Sequence, residues 1–188
     1  SWKYGAVDLP SRFLSSTQKS NIYAYRFDWD EQPTTFGVPL NELMGAAHGM
    51  EIGFIFKSSA LKGESDSYIF SSIYDAENRD TDLKLADEIG EYWVKFAYDG
   101  NPNENPYSKD VEWLNWDAKT DEERFIVLDT VNDKGIAMYN ATLSADSILQ
   151  GLASEALTVD QKCATIGQMF NRTTLTEEEV DDIYLTFL

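Results

Sequence analysis

The apolar positions of this chain follow two periods, and their order along the sequence predicts the elements of the fold. Residues 21–30, Asn-Ile-Tyr-Ala-Tyr-Arg-Phe-Asp-Trp-Asp, form a short run rich in aromatic side chains, which predicts a largely buried strand. Residues 31–37, with Pro33 and Gly37, read as a loop. The strongest helical period covers residues 81–99. There Leu85, Ile89, Tyr92, Trp93 and Phe96 recur at i, i+4, i+7, i+8 and i+11, a broad stripe that needs a sheet or a second helix to cover it. Asp80 or Thr81 can cap its start, and Gly100 followed by Pro102 ends it. Residues 101–121 read as a loop carrying Trp113 and Trp116. Residues 125–128 and 136–139 are apolar runs separated by Asn132, Asp133 and Gly135, the pattern of a β-hairpin.

The flanks are helical. A short helix is expected after Pro10, and three more are expected beyond the hairpin. Ser144 opens the first, while Thr158 with Gln161 and Thr176 with Glu179 fit capping boxes for the other two. Cys163 falls in the run 159–170, where a small, buried apolar role is expected. The order helix, strand, loop, helix, two strands, helices belongs to an α/β protein. Two or three strands with several amphipathic helices make a poor free-standing core, so the chain is expected to be the tail end of a larger sheet.

Composition narrows the function classes. With 43% hydrophobic and 13% aromatic residues the chain is globular in type. It carries 33 acidic against 15 basic residues, for a formal charge of −18. The charge is spread along the sequence and reads as a soluble, self-repelling surface that disfavours nucleic acid and anionic membrane as partners. No apolar run approaches the ~20 residues of a membrane-spanning helix. A single cysteine, Cys163, allows no disulfide within the chain and no Cys-based zinc site.

The chemistry centres on one residue. The only histidine, His48, lies in Gly45-Ala-Ala-His48-Gly49-Met50-Glu51-Ile52-Gly53-Phe54-Ile55-Phe56. Imidazole both takes and gives a proton near neutral pH. His48 follows a predicted strand and loop, where α/β enzymes place their chemistry. Gly45 and Gly49 let the backbone turn tightly there and come close to other groups. From the residues alone, a structural or surface histidine remains the alternative. No second histidine and no spaced carboxylate cluster points to a metal, and no cofactor is called for. Nor is there a Gly-x-Ser-x-Gly anywhere in the chain, so a nucleophile of the matching type is missing.

Gly45-x-x-His48-Gly49-x-Glu51-Ile52-x-Phe54-x-Phe56 resembles the histidine motif of type-B carboxylesterases, the family that includes the cholinesterases. Tyr92-Trp93-x-x-Phe96-Ala97-x-x-Gly100-Asn101-Pro102-Asn103 resembles the signature that follows it in that family, at similar spacing. Residues 22–28 are similar to the strand before the histidine loop, and Trp113 with Trp116 to the stretch before the last strands. The resemblance covers about residues 20–130; residues 1–20 and the helical tail are similar to bacterial members.

The resemblance implies an α/β-hydrolase fold with a triad in the chain order Ser, Asp/Glu, His. Residues 1–188 are then the C-terminal part of one such domain. Residues 20–130 would supply the last core strands, the histidine loop and a helix, and 131–188 a terminal strand and helices. The nucleophile, the acid and the oxyanion-hole segment would lie upstream of Ser1, in an N-terminal part or on an associated N-terminal polypeptide left by processing. The implied activity is hydrolysis of a small-molecule carboxylic ester, with His48 as general base and then acid. The alternative is a fragment of a non-catalytic, cholinesterase-like binding or adhesion protein.

Around His48, Met50 either touches the acyl or alcohol pocket or packs in the core. Gly45, Gly49 and Glu51 support the loop, Glu51 as a structural carboxylate and not the triad acid. Phe54 and Phe56 alternate and read as core, and Tyr92, Trp93 and Phe96 read as packing. Asn140-Ala-Thr and Asn171-Arg-Thr read as chance sequons. The acidic run 177–182 lacks the spaced loop of a calcium site and reads as a solvated helix face. Acidity and the implied processing favour a secreted or periplasmic setting.

Overall fold

The structure is a computed structural model and describes residues 3–65, 67, 71–103, 111–117, 124–141 and 143–170. In chain order, a π-helical segment Tyr4–Asp8 runs into α1 (Leu9–Thr17), followed by β1 (Tyr25–Phe27), β2 (Thr34–Thr35) and β3 (Val38–Pro39). Then come α2 (Leu40–Met44), α3 (Glu51–Ile55), α4 (Arg79–Asp99), β4 (Phe125–Leu128), β5 (Ala137–Tyr139), α5 (Ala145–Ser154) and α6 (Val159–Phe170). These elements fall into two units. One is Asn21–Trp116 with Arg124–Asn140; the other comprises the described residues of Ser1–Ser20, Asp117–Glu123 and Ala141–Leu188.

In the first unit, β4 is the middle strand of the order β1-β4-β5. It pairs in parallel with β1, Tyr25 opposite Ile126 and Phe27 opposite Leu128, and antiparallel with β5. Hydrogen bonds from Ile126 N–H to Ala24 O and from Asp28 N–H to Leu128 O, both 3.0 Å, extend the ladder. All four residues of β4 are buried, the continuous apolar run of a strand covered on both faces. The strand expected over residues 21–30 is regular only at Tyr25–Phe27, and those three residues are half-buried. Full burial falls instead on Ala24 and Trp29 at its ends.

Helix α4 carries the predicted stripe. Leu85, Ala86, Ile89 and Tyr92 gather in one buried cluster with Trp29, Phe54, Leu61, Trp113, Ile126 and Leu128. Trp93 is half-buried and Phe96 is exposed. The start of the helix differs from expectation. Asn78 holds the capping position without a side-chain bond, and the Thr81 hydroxyl donates back to Asn78 O at 2.7 Å. Asp80 and Asp82 occupy the first turn, where the helix dipole favours negative charge. Gly100 closes the helix in the left-handed region, its N–H bonded to Phe96 O.

The polar residues after Gly100 have a structural task. Asn103 Nδ2 donates to Trp113 O at 2.8 Å, and Trp113 N–H donates to Asn103 Oδ1 at 2.6 Å. One side-chain amide thus satisfies both backbone groups of Trp113, as a neighbouring strand would. The indole N–H of Trp113 reaches Ala24 O at 3.1 Å, tying this irregular segment to the start of β1.

Two further expectations in this unit fail. Residues 31–37 are not a plain loop, because Thr34 pairs with Pro39 and Thr35 with Val38 in a small hairpin. Phe54 and Phe56 do not share a face, since Glu51–Ile55 is helical and residues two apart on a helix point away from each other. Phe54 is fully buried, whereas Phe56 is 77% exposed.

In the second unit, α1 is the helix expected after Pro10, with Pro10 in its first turn. Asp8 is fully buried. Lys3 Nζ donates to both of its oxygens, at 2.8 and 2.7 Å, and Leu143 N–H donates at 2.8 Å, which offsets the desolvation of the charge. Ser144 and Ser147 form the capping box of α5. Before α6, Thr158 N–H donates to Gln161 Oε1 at 2.9 Å and Gln161 N–H to Thr158 Oγ1 at 3.3 Å. Cys163 is half-buried and not the buried residue expected. The expected helix at Thr176, the acidic run 177–182, Thr142 and the sequon at Asn171 lie outside the described residues. Among the described residues no helix is long and apolar enough to cross a membrane.

Ile89 has no exposed surface, and its truncation leaves a cavity in the buried cluster that α4 shares with α3 and the sheet. Ile89→Ala is expected to destabilise the protein by about 2–5 kcal/mol, read as a lowered urea midpoint at unchanged m-value.

Candidate active site

The segment that carries His48 is prepared by three of the residues that follow β1, Trp29, Glu31 and Gln32. Trp29 packs against Phe54 and Tyr74, with ring centroids 5.1 and 5.4 Å away, and its indole N–H donates to Asp82 Oδ1 at 2.8 Å. Glu31 accepts a hydrogen bond from the Thr130 hydroxyl just past β4. Gln32, buried, donates through Nε2 to Gly45 O at 2.8 Å. The β2–β3 hairpin follows, with Phe36 and Gly37 at its tip at φ 53° and 77°. Leu40 N–H bonds to Pro33 O at 3.3 Å, which sets α2 directly behind the hairpin.

Helix α2 is five residues long and stops at Gly45, whose φ of 52° and ψ of −148° suit glycine alone. Gly45 N–H closes on Asn41 O at 2.9 Å, and Ala47 N–H turns back to Gly45 O at 2.8 Å. His48 follows, exposed at the crest of this turn. Gly49 at φ 86° leads the chain down again into α3. Among the described residues, a Cβ at Gly49 would meet nothing within 4 Å, and one at Gly45 only Asn41 O at 3.9 Å. Both glycines hold the positive φ that the turn requires.

Met50 and Glu51 complete the segment. Met50 is half-buried and packs against the core cluster. Glu51 opens α3 in its acidic first turn. It lies near Tyr25, whose phenol is pushed above its ordinary range, first by burial and then by the Glu51 charge. His48, Gly45, Gly49, Met50 and Glu51 thus belong to one compact turn. An exposed imidazole held there can exchange protons with a group presented from outside it. Among the described residues no three His, Cys, Asp or Glu side chains are grouped as metal ligands.

In the first turn of α4, bonded to Trp29, lies a buried acidic group that the sequence reading did not single out. Asp82 is fully buried, and its Oδ2 has no partner among the described residues. Burial raises its carboxyl to about 7; the Trp29 N–H and Arg79 oppose the shift, while Glu31 and Asp75 reinforce it. Asp129, at the end of β4, is raised to about 6, chiefly by burial. A signal for Asp82 existed, because it sits three residues before Leu85 and so on the apolar stripe. For Gln32 there was none, since nothing in Asp28-Trp29-Asp30-Glu31-Gln32 marks which polar side chain turns inward.

A separate cavity of about 180 Å³ is lined by Tyr23, Tyr25, Tyr92, Trp93, Phe96 and Trp113. Its walls come from β1 and the residues just before it, from α4 and from the segment after Gly100, and include no residue of the histidine turn.

A model of the carboxylesterase family matches residues 3–144, histidine turn included. The chain belongs to the carboxylesterase family. The resemblance of its histidine segment to type-B carboxylesterases is upheld, and a mixed sheet with flanking helices gives it part of an α/β fold. Carboxylesterase 4A of Bos taurus is 35% identical over 105 residues, which are 53% of this chain and 16% of the relative. The chain thus spans about a sixth of the length of that curated relative. A structure of a PNB esterase superposes with a TM-score of 0.43 at 24% identity, over 63% of this chain and 19% of that one.

The raised carboxyl of Asp82 has a definite pH consequence. Its folded value of about 7 lies above the ordinary 3.8, so between those values the folded state holds a proton that the unfolded chain has lost. Stability therefore falls as pH rises through that window, and Asp129 adds a fall of the same sign up to about 6. Asp82→Asn keeps an acceptor for the indole N–H and removes the charge. Thermal melts at about pH 5 and about pH 8 are expected to show a smaller loss of Tm in the variant than in the parent. An equal loss in both would show that Asp82 is ionised across the range.

Proposed function

We propose that this chain supplies the histidine of a serine carboxylesterase, with His48 acting first as general base and then as general acid. On this reading residues 20–130 contribute the last core strands, the histidine turn and α4 of an α/β-hydrolase domain, and residues 131–188 its terminal strand and helices. The Ser nucleophile and its Asp or Glu belong to an N-terminal part of the same esterase, on the same or an associated polypeptide. The observation that carries the reading is the setting of the chain's single imidazole. It stands exposed on a glycine-framed turn beyond β1, within the segment matched by the family model.

The chemistry follows from what the groups can do. A serine hydroxyl is too weakly acidic to attack an ester unaided. One ring nitrogen of His48 removes its proton as the oxygen adds to the carbonyl carbon, while the acid holds the other N–H and fixes the tautomer. Backbone N–H groups hold the resulting oxyanion, each worth roughly 3–4 kcal/mol in such sites. The imidazolium then returns its proton to the departing alkoxide. Water repeats the sequence on the acyl-enzyme and releases the carboxylate. Gly45, Gly49 and Glu51 keep the turn in shape, and Met50 braces it from the core side. The substrate class is a small-molecule carboxylic ester, in keeping with the relative named a carboxylesterase.

In the complete protein, His48→Ala is expected to lower kcat for a simple aryl ester by roughly 10³-fold to 10⁶-fold, with Tm unchanged. Parental turnover in that variant would overturn the assignment. Denaturing electrophoresis and sequencing of the active material should recover a Gly-x-Ser-x-Gly on the remainder of the polypeptide or on an associated one. Its absence would favour the non-catalytic, cholinesterase-like binding protein.

A further inference from the structure

We propose that Gln32 is a positioning residue for His48, acting through the carbonyl of Gly45; this rests on the triad reading above. Gln32 is 4% exposed and reaches across thirteen positions to donate from Nε2 to Gly45 O at 2.8 Å. The same carbonyl accepts Ala47 N–H at 2.8 Å. Two donors from different directions fix the plane of the peptide that follows Gly45. That plane decides the heading of the chain over the three residues that raise His48 to the crest of the turn. Gly45 is also where the backbone has the most freedom to swing, because glycine tolerates several regions of φ and ψ that other residues avoid. An outside tether at this carbonyl removes that freedom.

The tether is itself anchored. Glu31, the preceding residue, accepts from the Thr130 hydroxyl beyond β4, and Trp29 donates to Asp82 at the start of α4. Gln32 therefore relays the position of the sheet and of α4 to the histidine turn. Its chemistry also fits the place. Gln32 Oε1 is buried with no partner among the described residues, so an amide here carries a desolvation cost that an apolar side chain of similar size avoids. What the amide gains is a neutral donor aimed at a carbonyl. A carboxylate at position 32 would face that carbonyl with like polarity and lose the bond.

The test uses the complete enzyme and three variants, Gln32→Leu, Gln32→Glu and His48→Ala, with an aryl ester as substrate. Gln32→Leu is expected to lower kcat about 10-fold to 100-fold, as small misplacements of a catalytic group do, with KM within about twofold. Gln32→Glu can donate to Gly45 O only while its carboxyl is protonated. The ratio of its kcat to that of the parent should therefore decline as pH rises, while the same ratio for Gln32→Leu stays flat. If Gln32→Leu fails to fold, the Gln32→Glu profile decides alone. A parental kcat in Gln32→Leu, a change confined to KM, or a Gln32→Glu ratio that does not vary with pH would overturn the positioning role. His48→Ala separates the two proposals. If it is inactive while Gln32→Leu is parental, only the role of Gln32 falls; if it keeps parental turnover, the triad reading falls and takes the role of Gln32 with it.

Discussion

The parallel pairing of β1 with β4 governs the arrangement of the larger unit. Parallel neighbours cannot be joined by a tight turn, so after Phe27 the chain has to return to the other end of the sheet before Phe125. The hairpin, the histidine turn, α3 and α4 are the contents of that crossover. Strand direction then determines where the turn emerges, beyond the C-terminal end of β1, as in other open α/β sheets. The crossover is secured by packing. Leu85, Ala86 and Ile89 of α4 meet Ile126 and Leu128 of the sheet in one cluster. Trp29 fills the corner where β1 gives way to the loop, against Phe27 and Phe54.

Polar groups buried at that corner are handled differently from Asp8 in the other unit. Asp8 has a lysine and a peptide N–H as partners, so its charge is matched directly. Asp82 has an indole N–H on one oxygen, while Arg79 lies near enough to oppose its upward shift. Glu31 and Gln32 each leave one buried oxygen without a partner among the described residues. Buried groups met in part make a network costly to hold, and here the network lies between the sheet and the histidine turn. Its bonds do link elements that hydrophobic contact alone would leave free to slide.

Much of this was legible in the sequence because it is local. The stripe of α4 repeats often enough to declare its period, the run Phe125–Leu128 announces a buried strand, and Ser144 and Thr158 cap their helices within three residues. His48, Gly45 and Gly49 could be picked out for the same reason, since chemistry and turn geometry share a few adjacent positions. What escaped was either too short or too distant. Strands of two residues, β2 and β3, fall below any window in which alternation can be seen. In Phe54-Ile55-Phe56, an apolar run of three cannot separate a helix from a strand. The bond between Gln32 and Gly45 spans thirteen residues with no pattern at either end.

The register that sets Tyr25 beside Ile126 also has a kinetic side. About a hundred residues separate the partners, and contacts of that span make folding slow because the entropy of closing the loop is lost before the contact forms. During synthesis, β1 and Trp29 emerge well before β4 can cover them. In the interval an aromatic segment with an unpaired backbone is open to wrong partners. A strongly negative chain such as this one repels its own copies through that interval. The acidic composition first met as a surface property is then also a safeguard for the nascent chain.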